Sequence, residues 1–345
     1  MYRNMENFST TFAVVSVVTV FYFSHSLYSS HALFTTRSTV FDSRRALPGS
    51  VYLMIRFIHQ SLRKKRGHMR QNKDRELVFT LINCRYDVMS LRRFCSVGGY
   101  GWDYPDSVFR DIPLCYPEIL FRRLITMIVC SEKFKLSPRG LLSVGETVHV
   151  SDAVDELKRG AFSLQARVME YRTVRTGVEV DLSLSASRDQ QIIWDSTLTL
   201  LSPNSTHTPD AYSDTDITHG LASQRCIQLT VPRTTGVWCA RVFGDLCPLC
   251  ASLLGFTRPA APSLWMFSRC MAEIEKHKGA EVVRAPLTVS VRYVKPLSLP
   301  NQVTIRISEH KDAEVSTTAT FSLEDHRTGS LYISGQIQRH SREKI

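Results

Sequence analysis

Gly244-Asp245, Cys247-Pro-Leu-Cys250, Pro262-Ser263 and Trp265 are the residues of this chain whose types and spacing suit chemistry. An aspartate on a loop beside a helix can pass a proton to or from a bound water or substrate. The same Gly-Asp pair also makes an Asx-turn or caps a following helix, which is the plain structural alternative for Asp245. Cys247 and Cys250 form a C-x-x-C, half of a zinc site or a redox pair. No second C-x-x-C and no close histidine pair accompanies them, so two small apolar residues on a packed segment are the better reading. Neither a metal nor a cofactor is implied. Pro262-Ser263 reads as a helix start: proline fits the first turn, and the backbone N–H of Ser263 leaves the helix end able to receive a carbonyl oxygen or an anion. Trp265 reads as core or as a pocket wall. Four histidines, His149, His207, His219 and His277, fall on separate segments and are weak candidates for a proton acceptor.

The elements that would position these groups occur twice. Apolar Ile119, Leu120, Leu124, Met127 and Ile128 at three- and four-residue spacing predict a helix over Leu114 to Cys130, entered through Tyr116-Pro117. Strands are predicted at Leu141 to Val150, Ala161 to Val174, Gly177 to Ala186 and Gln191 to Leu201, separated by Gly160, Thr176-Gly177 and Arg188-Asp189 turn signals. A second helix over Ser263 to His277 follows the strand-like Cys226 to Val231. Strands then come at Leu287 to Tyr293, Gln302 to Ser308, Glu314 to Leu323 and Ser330 to Gln338. One helix and several long strands, repeated, indicate a duplicated architecture. The predicted organisation is an N-terminal hydrophobic anchor or targeting segment with a basic flank (1–75), a first half (80–202), a linker (203–223) and a second half (224–342). Asp210, Asp214 and Asp216 in the linker lack the glycine and terminal glutamate of a calcium loop.

At 345 residues and 43% hydrophobic the chain is long enough for one large or two modest cores. Its net charge of +11 is concentrated before about residue 75, in Arg44-Arg45 and Arg63-Lys64-Lys65-Arg66. A basic flank explains this better than a nucleic-acid surface, so no nucleic-acid partner is expected. Nine scattered cysteines do not suggest a secreted disulfide framework, and the sequons at Asn7 and Asn204 matter only in a lumenal setting. The uncharged run Phe8 to Ser24 is at the short edge of a bilayer span. Its basic C-terminal flank predicts a single-pass membrane protein with the C-terminal domain cytoplasmic. The alternatives are a mitochondrial presequence, since residues 1 to 72 hold only Glu6 and Asp42 as acids, and then a cleaved secretory signal. Serine hydrolase elbows and phosphate-cradling glycine loops are absent from the sequence.

Phe243-Gly244-Asp245, Leu246-x-Pro248-Leu249-x-Ala251-x-Leu253-x-Gly255-Phe256, Trp265 and Arg269-Cys270 together resemble the second hotdog of MaoC-like dehydratases and R-specific enoyl-CoA hydratases. Val294-Lys295-Pro296-Leu297-x-Leu299-Pro300 is similar to the strand-turn segment after the helix in that family. Ile112-Pro113-x-x-Tyr116-Pro117-x-x-Leu120 and Gly140-Leu141 through Val144-Gly145-Glu146 resemble the non-catalytic hotdog of two-domain members. The resemblance covers roughly residues 95 to 340. It implies an α+β double hotdog: two long helices, each wrapped by an antiparallel sheet.

The same resemblance implies a reaction and its parts. Family members add water across a 2-enoyl thioester with an Asp and a His on a G-D-x-N-P-I-H loop, while N–H groups at an H-G helix start polarise the carbonyl. Asp245 matches the aspartate through Gly244. Cys247 and Cys250 replace the Asn and His or, with the downstream match kept, about five residues carrying Asn-Pro-x-His are missing; Pro262-Ser263 replaces H-G. The expected function is therefore a weak acyl-thioester hydratase or dehydratase with Asp245 as the catalytic residue and Gly244, Ser263 and Trp265 at the substrate. The alternatives are an inactive membrane-tethered hotdog that binds acyl groups or a protein partner, and a thioesterase. Expected partners are acyl-CoA or another acyl thioester, the membrane through the N-terminal segment, and a second copy as a homodimer.

Overall fold

A computed structural model describes residues 16, 21, 24–34, 39–45, 47–71, 76–106, 110–204, 224–243, 260–311 and 317–340. Residues 24–34 form helix α1. The first half then runs β1 (Val40–Asp42), α2 (Ser50–Arg63), β2 (Val78–Cys84), α3 (Val88–Gly98), α4 (Tyr116–Cys130), β3 (Leu142–Val150), β4 (Phe162–Val174), β5 (Gly177–Arg188) and β6 (Gln191–Pro203). The second half runs β7 (Gln224–Val231), α5 (Thr234–Phe243), β8 (Ala260–Ala261), α6 (Ser263–Lys278), β9 (Leu287–Tyr293), β10 (Leu297–Ser298), β11 (Asn301–Lys311), β12 (Thr317–Asp325) and β13 (Leu331–Arg339).

Eleven of these strands form one sheet in the order β1-β2-β4-β5-β6-β3-β9-β13-β12-β11-β7. With the five main strands of each half counted along the chain, both halves have the same spatial order, 1-3-4-5-2. The halves join through their second strands, β3 and β9, which pair antiparallel from Gly145↔Arg292 to Val150↔Leu287. Of the eleven strands in this sheet, β1, which pairs parallel with β2, stands outside the duplication. The architecture is thus α+β with a large antiparallel sheet, as the hotdog resemblance implies.

Alternation makes the sheet one-sided. On β5, Val178, Val180, Leu182, Leu184 and Ala186 are buried while Glu179, Asp181, Ser183 and Ser185 face outward. The two long helices fill the inner face. α4 buries Phe121, Leu124, Met127 and Ile128, and α6 buries Leu264, Met266, Phe267, Met271 and Ile274. Phe121 stacks on Trp194 of β6 with centroids 5.6 Å apart, and the Trp194 indole N–H donates to Leu114 O at 2.8 Å. Phe267 stacks on Phe321 of β12 in the second half. Gly335, opposite Phe321 on β13, leaves the room that ring occupies, because any Cβ there would collide with it.

The compact part begins earlier than the sequence suggests. Residues 40–63, grouped above with the N-terminal anchor, are built into the first half: β1 extends the sheet and α2 packs on α4. Lys64, read as part of a basic flank, is buried. Its ammonium donates to Ser131 O at 3.1 Å and Phe134 O at 2.6 Å, just past the C-terminus of α4, where carbonyls lack helical partners. Among the described residues no helix is long and apolar enough to cross a membrane. The run Phe8 to Ser24 lies almost wholly outside them, as do residues 205–223 of the predicted linker.

Candidate functional site

The two halves meet at the start of α6, where Ser263 contacts Ser143 of β3. Pro262 is the N-cap, extended at φ −61° and ψ 149°, and makes no side-chain capping hydrogen bond. Pro262 O accepts the N–H groups of Trp265 at 3.0 Å and Met266 at 3.2 Å, so the N–H groups of Ser263 and Leu264 precede the helical ladder. Two strands steady the approach: β8, one residue before Pro262, pairs with β10. Ser263 donates its hydroxyl to Ser143 Oγ of β3 at 3.0 Å. Ser143 lies at an irregularity of β3, where the register with β6 shifts between Ser143 and Gly145. A bulge of this kind re-aims side chains at a sheet rim.

Trp265 is packed rather than open. It is 6% exposed, and its indole N–H donates to Val97 O at 3.0 Å. Its neighbours on α6 also meet α3. Gly98 abuts Ser268 so closely that a Cβ would collide with the Ser268 hydroxyl, and Gly99 lies under Arg269. α3 itself is well terminated: Asp87 accepts the Met89 and Ser90 N–H groups, and Gly99 closes the C-terminus with φ 95°. This helix, not read from the sequence, therefore forms the wall against which the first turns of α6 are held.

Gly244, Asp245, Cys247 and Cys250 lie outside the described residues, which stop at Phe243 and resume at Ala260. Phe243, the residue before Gly244, is 1% exposed, with its ring 5.9 Å from that of Phe94 on α3. Two of the four histidines are placed away from the α6 start. His149 alternates with inward Glu146, Val148 and Val150, so it faces outward, hydrogen-bonded to Thr288 at 2.9 Å. His277 lies in the last turn of α6, 3.5 Å from Glu273 and roughly 20 Å from Ser263 at about 1.5 Å per helical residue. His207 and His219 lie outside the described residues.

A buried carboxyl that sequence reasoning quoted but did not single out lies further along β3. Glu146 accepts hydrogen bonds from Ser196 Oγ of β6 at 3.1 Å and from Tyr293 OH of β9 at 2.8 Å. Nearby on α4, Glu118 accepts from Arg122 at 2.6 Å. Burial pushes the Glu146 carboxyl above the usual carboxylate range, against the lowering by Tyr293, Ser196 and Arg122. Burial also pushes the Tyr293 phenol up. With both oxygens taken up by β6 and β9, Glu146 pins the seam between the halves. The available signal was a glutamate at an inward position of an alternating strand, where charge is rarely buried without partners.

A cavity elsewhere has the wrong chemistry. A groove of about 350 Å³ is lined by Asp152, Glu156, Arg188, Asp189 and Gln191. It sits at the β5–β6 turn, at the end of β3 away from Ser143, and its Arg188 is already paired with Glu156 and Asp189. Among the described residues no group of three or more His, Cys, Asp and Glu is placed to hold a metal ion. What remains at the α6 start is a set of donors without a described base: two backbone N–H groups suited to a carbonyl oxygen or an anion, beside a hydroxyl pair.

No protein-family model matches the chain, and no curated protein matches it in sequence. Solved structures do match. HtdX of Mycobacterium tuberculosis is 18% identical with a TM-score of 0.58, and the match covers 76% of this chain and 100% of that one. A MaoC-like dehydratase from Phytophthora capsici is 13% identical with a TM-score of 0.57, covering 79% and 96%. The full-length peroxisomal multifunctional enzyme type 2 from Drosophila melanogaster is 14% identical with a TM-score of 0.55, covering 76% of this chain and 48% of that one. The family resemblance read from the sequence is thus met by structural neighbours of the same description, and at these identities what the chain shares with MaoC-like dehydratases is the fold.

Proposed function

We propose that this chain binds acyl thioesters at the start of α6 and acts on them through Asp245 as a weak hydratase or dehydratase. One observation carries the reading: the α6 N-terminus offers the Ser263 and Leu264 N–H groups ahead of the helical ladder, in a fold shared with MaoC-like dehydratases. There a thioester carbonyl would be polarised by donors that are already oriented. Asp245, two residues beyond buried Phe243, would move the proton alone. Loss of an acid/base partner costs about 10²–10⁴ in rate, which is why the activity is proposed as weak.

A second reading is favoured by the positions of His149 and His277, both remote from Ser263: the chain binds acyl thioesters and does not turn them over. The Phe8 to Ser24 run, as a single-pass anchor leaving the folded part cytoplasmic, would then present the site at a membrane; mitochondrial import is the alternative. Purified protein given crotonyl-CoA and longer 2-enoyl-CoA separates these readings. Hydration abolished by Asp245→Asn supports the enzyme, and binding without hydration supports the carrier. Release of free CoA identifies a thioesterase, and no binding of any thioester overturns the proposal.

A further inference from the structure

Helix α2 turns a second apolar face outward. Val51, Ile55 and Leu62 are 47%, 46% and 79% exposed, and together with half-buried Ile58 they are spaced four, three and four residues apart, a single line along the helix. The opposite side, with buried Tyr52, Leu53 and Gln60, packs on the first half. A surface helix ordinarily has one apolar stripe, facing the core. Here a row of aliphatic side chains remains in solvent after the core-facing side is satisfied.

Charge decides what covers it. Arg63, Lys65 and Arg70 are exposed at the C-terminal end of the row. The chain has no Asp or Glu between Asp42 and Asp74. A second copy meeting this helix face to face would bring basic ends together with no acid on the helix to answer them. Nucleic acid would answer the charge but leave the aliphatic row in water. An anionic bilayer meets both: aliphatic side chains enter the headgroup–acyl boundary while flanking Lys and Arg stay at the phosphates.

We propose that α2 lies along an anionic lipid surface, with Val51, Ile55 and Leu62 inserted and Arg63, Lys65 and Arg70 on the headgroups. This orientation is independent of the acyl-thioester reading and of whether Phe8 to Ser24 spans a bilayer. It places the folded part flat against the membrane through the first half, on the α2 side of α4.

The test uses the full chain with Leu62→Trp, mixed with vesicles of acyl-brominated phosphatidylcholine containing about a third phosphatidylserine. The emission added by Leu62→Trp is expected to be quenched, whereas that added by Gln165→Trp, on the exposed side of β4, is not. Reversing the basic end with Arg63→Glu and Lys65→Glu is expected to weaken the quenching roughly tenfold. Folding of each variant is checked by its circular dichroism and melting curve; Val51→Trp serves as the second probe should Leu62→Trp not fold. Unquenched emission from both α2 probes overturns the proposal, whether the chain floats with the vesicles or not. Equal quenching on neutral vesicles also overturns it, as does protection of the α2 probes by polyuridylate or by a second copy instead of lipid.

Discussion

Tyr293 of β9 donates a hydrogen bond of 2.8 Å to Glu146 of β3, and the two residues lie on the strands whose pairing makes one sheet out of two halves. The contact is buried on both sides, so it joins the halves by a directed bond as well as by the ladder. Removing the donor alone leaves a buried acceptor poorly satisfied. Tyr293→Phe is expected to lower unfolding stability by about 1–3 kcal/mol, read by urea denaturation.

Glu146 also makes the seam pH-dependent. Its folded-state pKa is raised above the ordinary 4.5, chiefly by burial, so the folded protein holds a proton that the unfolded chain releases. The stability from this group is fully present below the unfolded pKa and is lost as pH rises through the folded one. Glu146→Gln keeps a neutral side chain at every pH. Denaturation midpoints measured from pH 4 upward should fall more steeply for the wild type than for Glu146→Gln.

Lys64 gives the opposite slope. Burial lowers its ammonium from the ordinary 10.5 to about 8, despite the carbonyls of Ser131 and Phe134 around it. Between those two values the unfolded chain holds a proton that the folded protein has lost, so the contribution of this group to stability rises with pH across that window. The buried thiols of Cys84 and Cys95, pushed up by burial, pull the other way in both proteins, so the melting temperature of the wild type relative to that of Lys64→Met should rise between about pH 8 and 10.5.

The crossing of α3 and α6 depends on an absent side chain. Ser268 is fully buried, its hydroxyl has no hydrogen-bond partner among the described residues, and it faces Gly98. Gly98→Ala should destabilise by roughly 1–3 kcal/mol through overpacking. Ser268→Ala removes the colliding atom and a buried unsatisfied hydroxyl, so it should be neutral or stabilising alone and should rescue part of the Gly98→Ala loss. A double-mutant cycle by chemical denaturation measures this.

The long sheet was legible because alternation and turn residues coincide. β9 spans the residues expected, and β3 to β6 begin within a residue of expectation, since Val, Leu and Thr alternate with polar residues there. Both long helices were legible too, α4 through apolar residues at three- and four-residue spacing and α6 through its Pro262-Ser263 start. The short helices were not. α5 opens on Thr234, Thr235 and Gly236, all poor helix formers, and is held by packing on α3. The N-terminal boundary was misplaced because Lys64 looks like every other lysine in a basic run; only its contact with the end of α4 marks it as core. Of the candidate site, the α6 start was visible through Pro262-Ser263. Its hydroxyl link to Ser143 was not, because it joins residues far apart in the chain.

The most direct test of the proposed site is binding of a non-hydrolysable acyl-CoA thioether to the full chain and to Ser263→Pro, followed by calorimetry. Proline is tolerated in the first turn and deletes one N–H without breaking the helix, and Ser263→Ala, which loses only the hydroxyl bonded to Ser143, is the control. The wild type should bind, and Ser263→Pro should bind about tenfold more weakly, the worth of one good hydrogen bond, with its melting temperature little changed. Equal affinity in the two proteins, or no binding by the wild type, would contradict a thioester site at the start of α6.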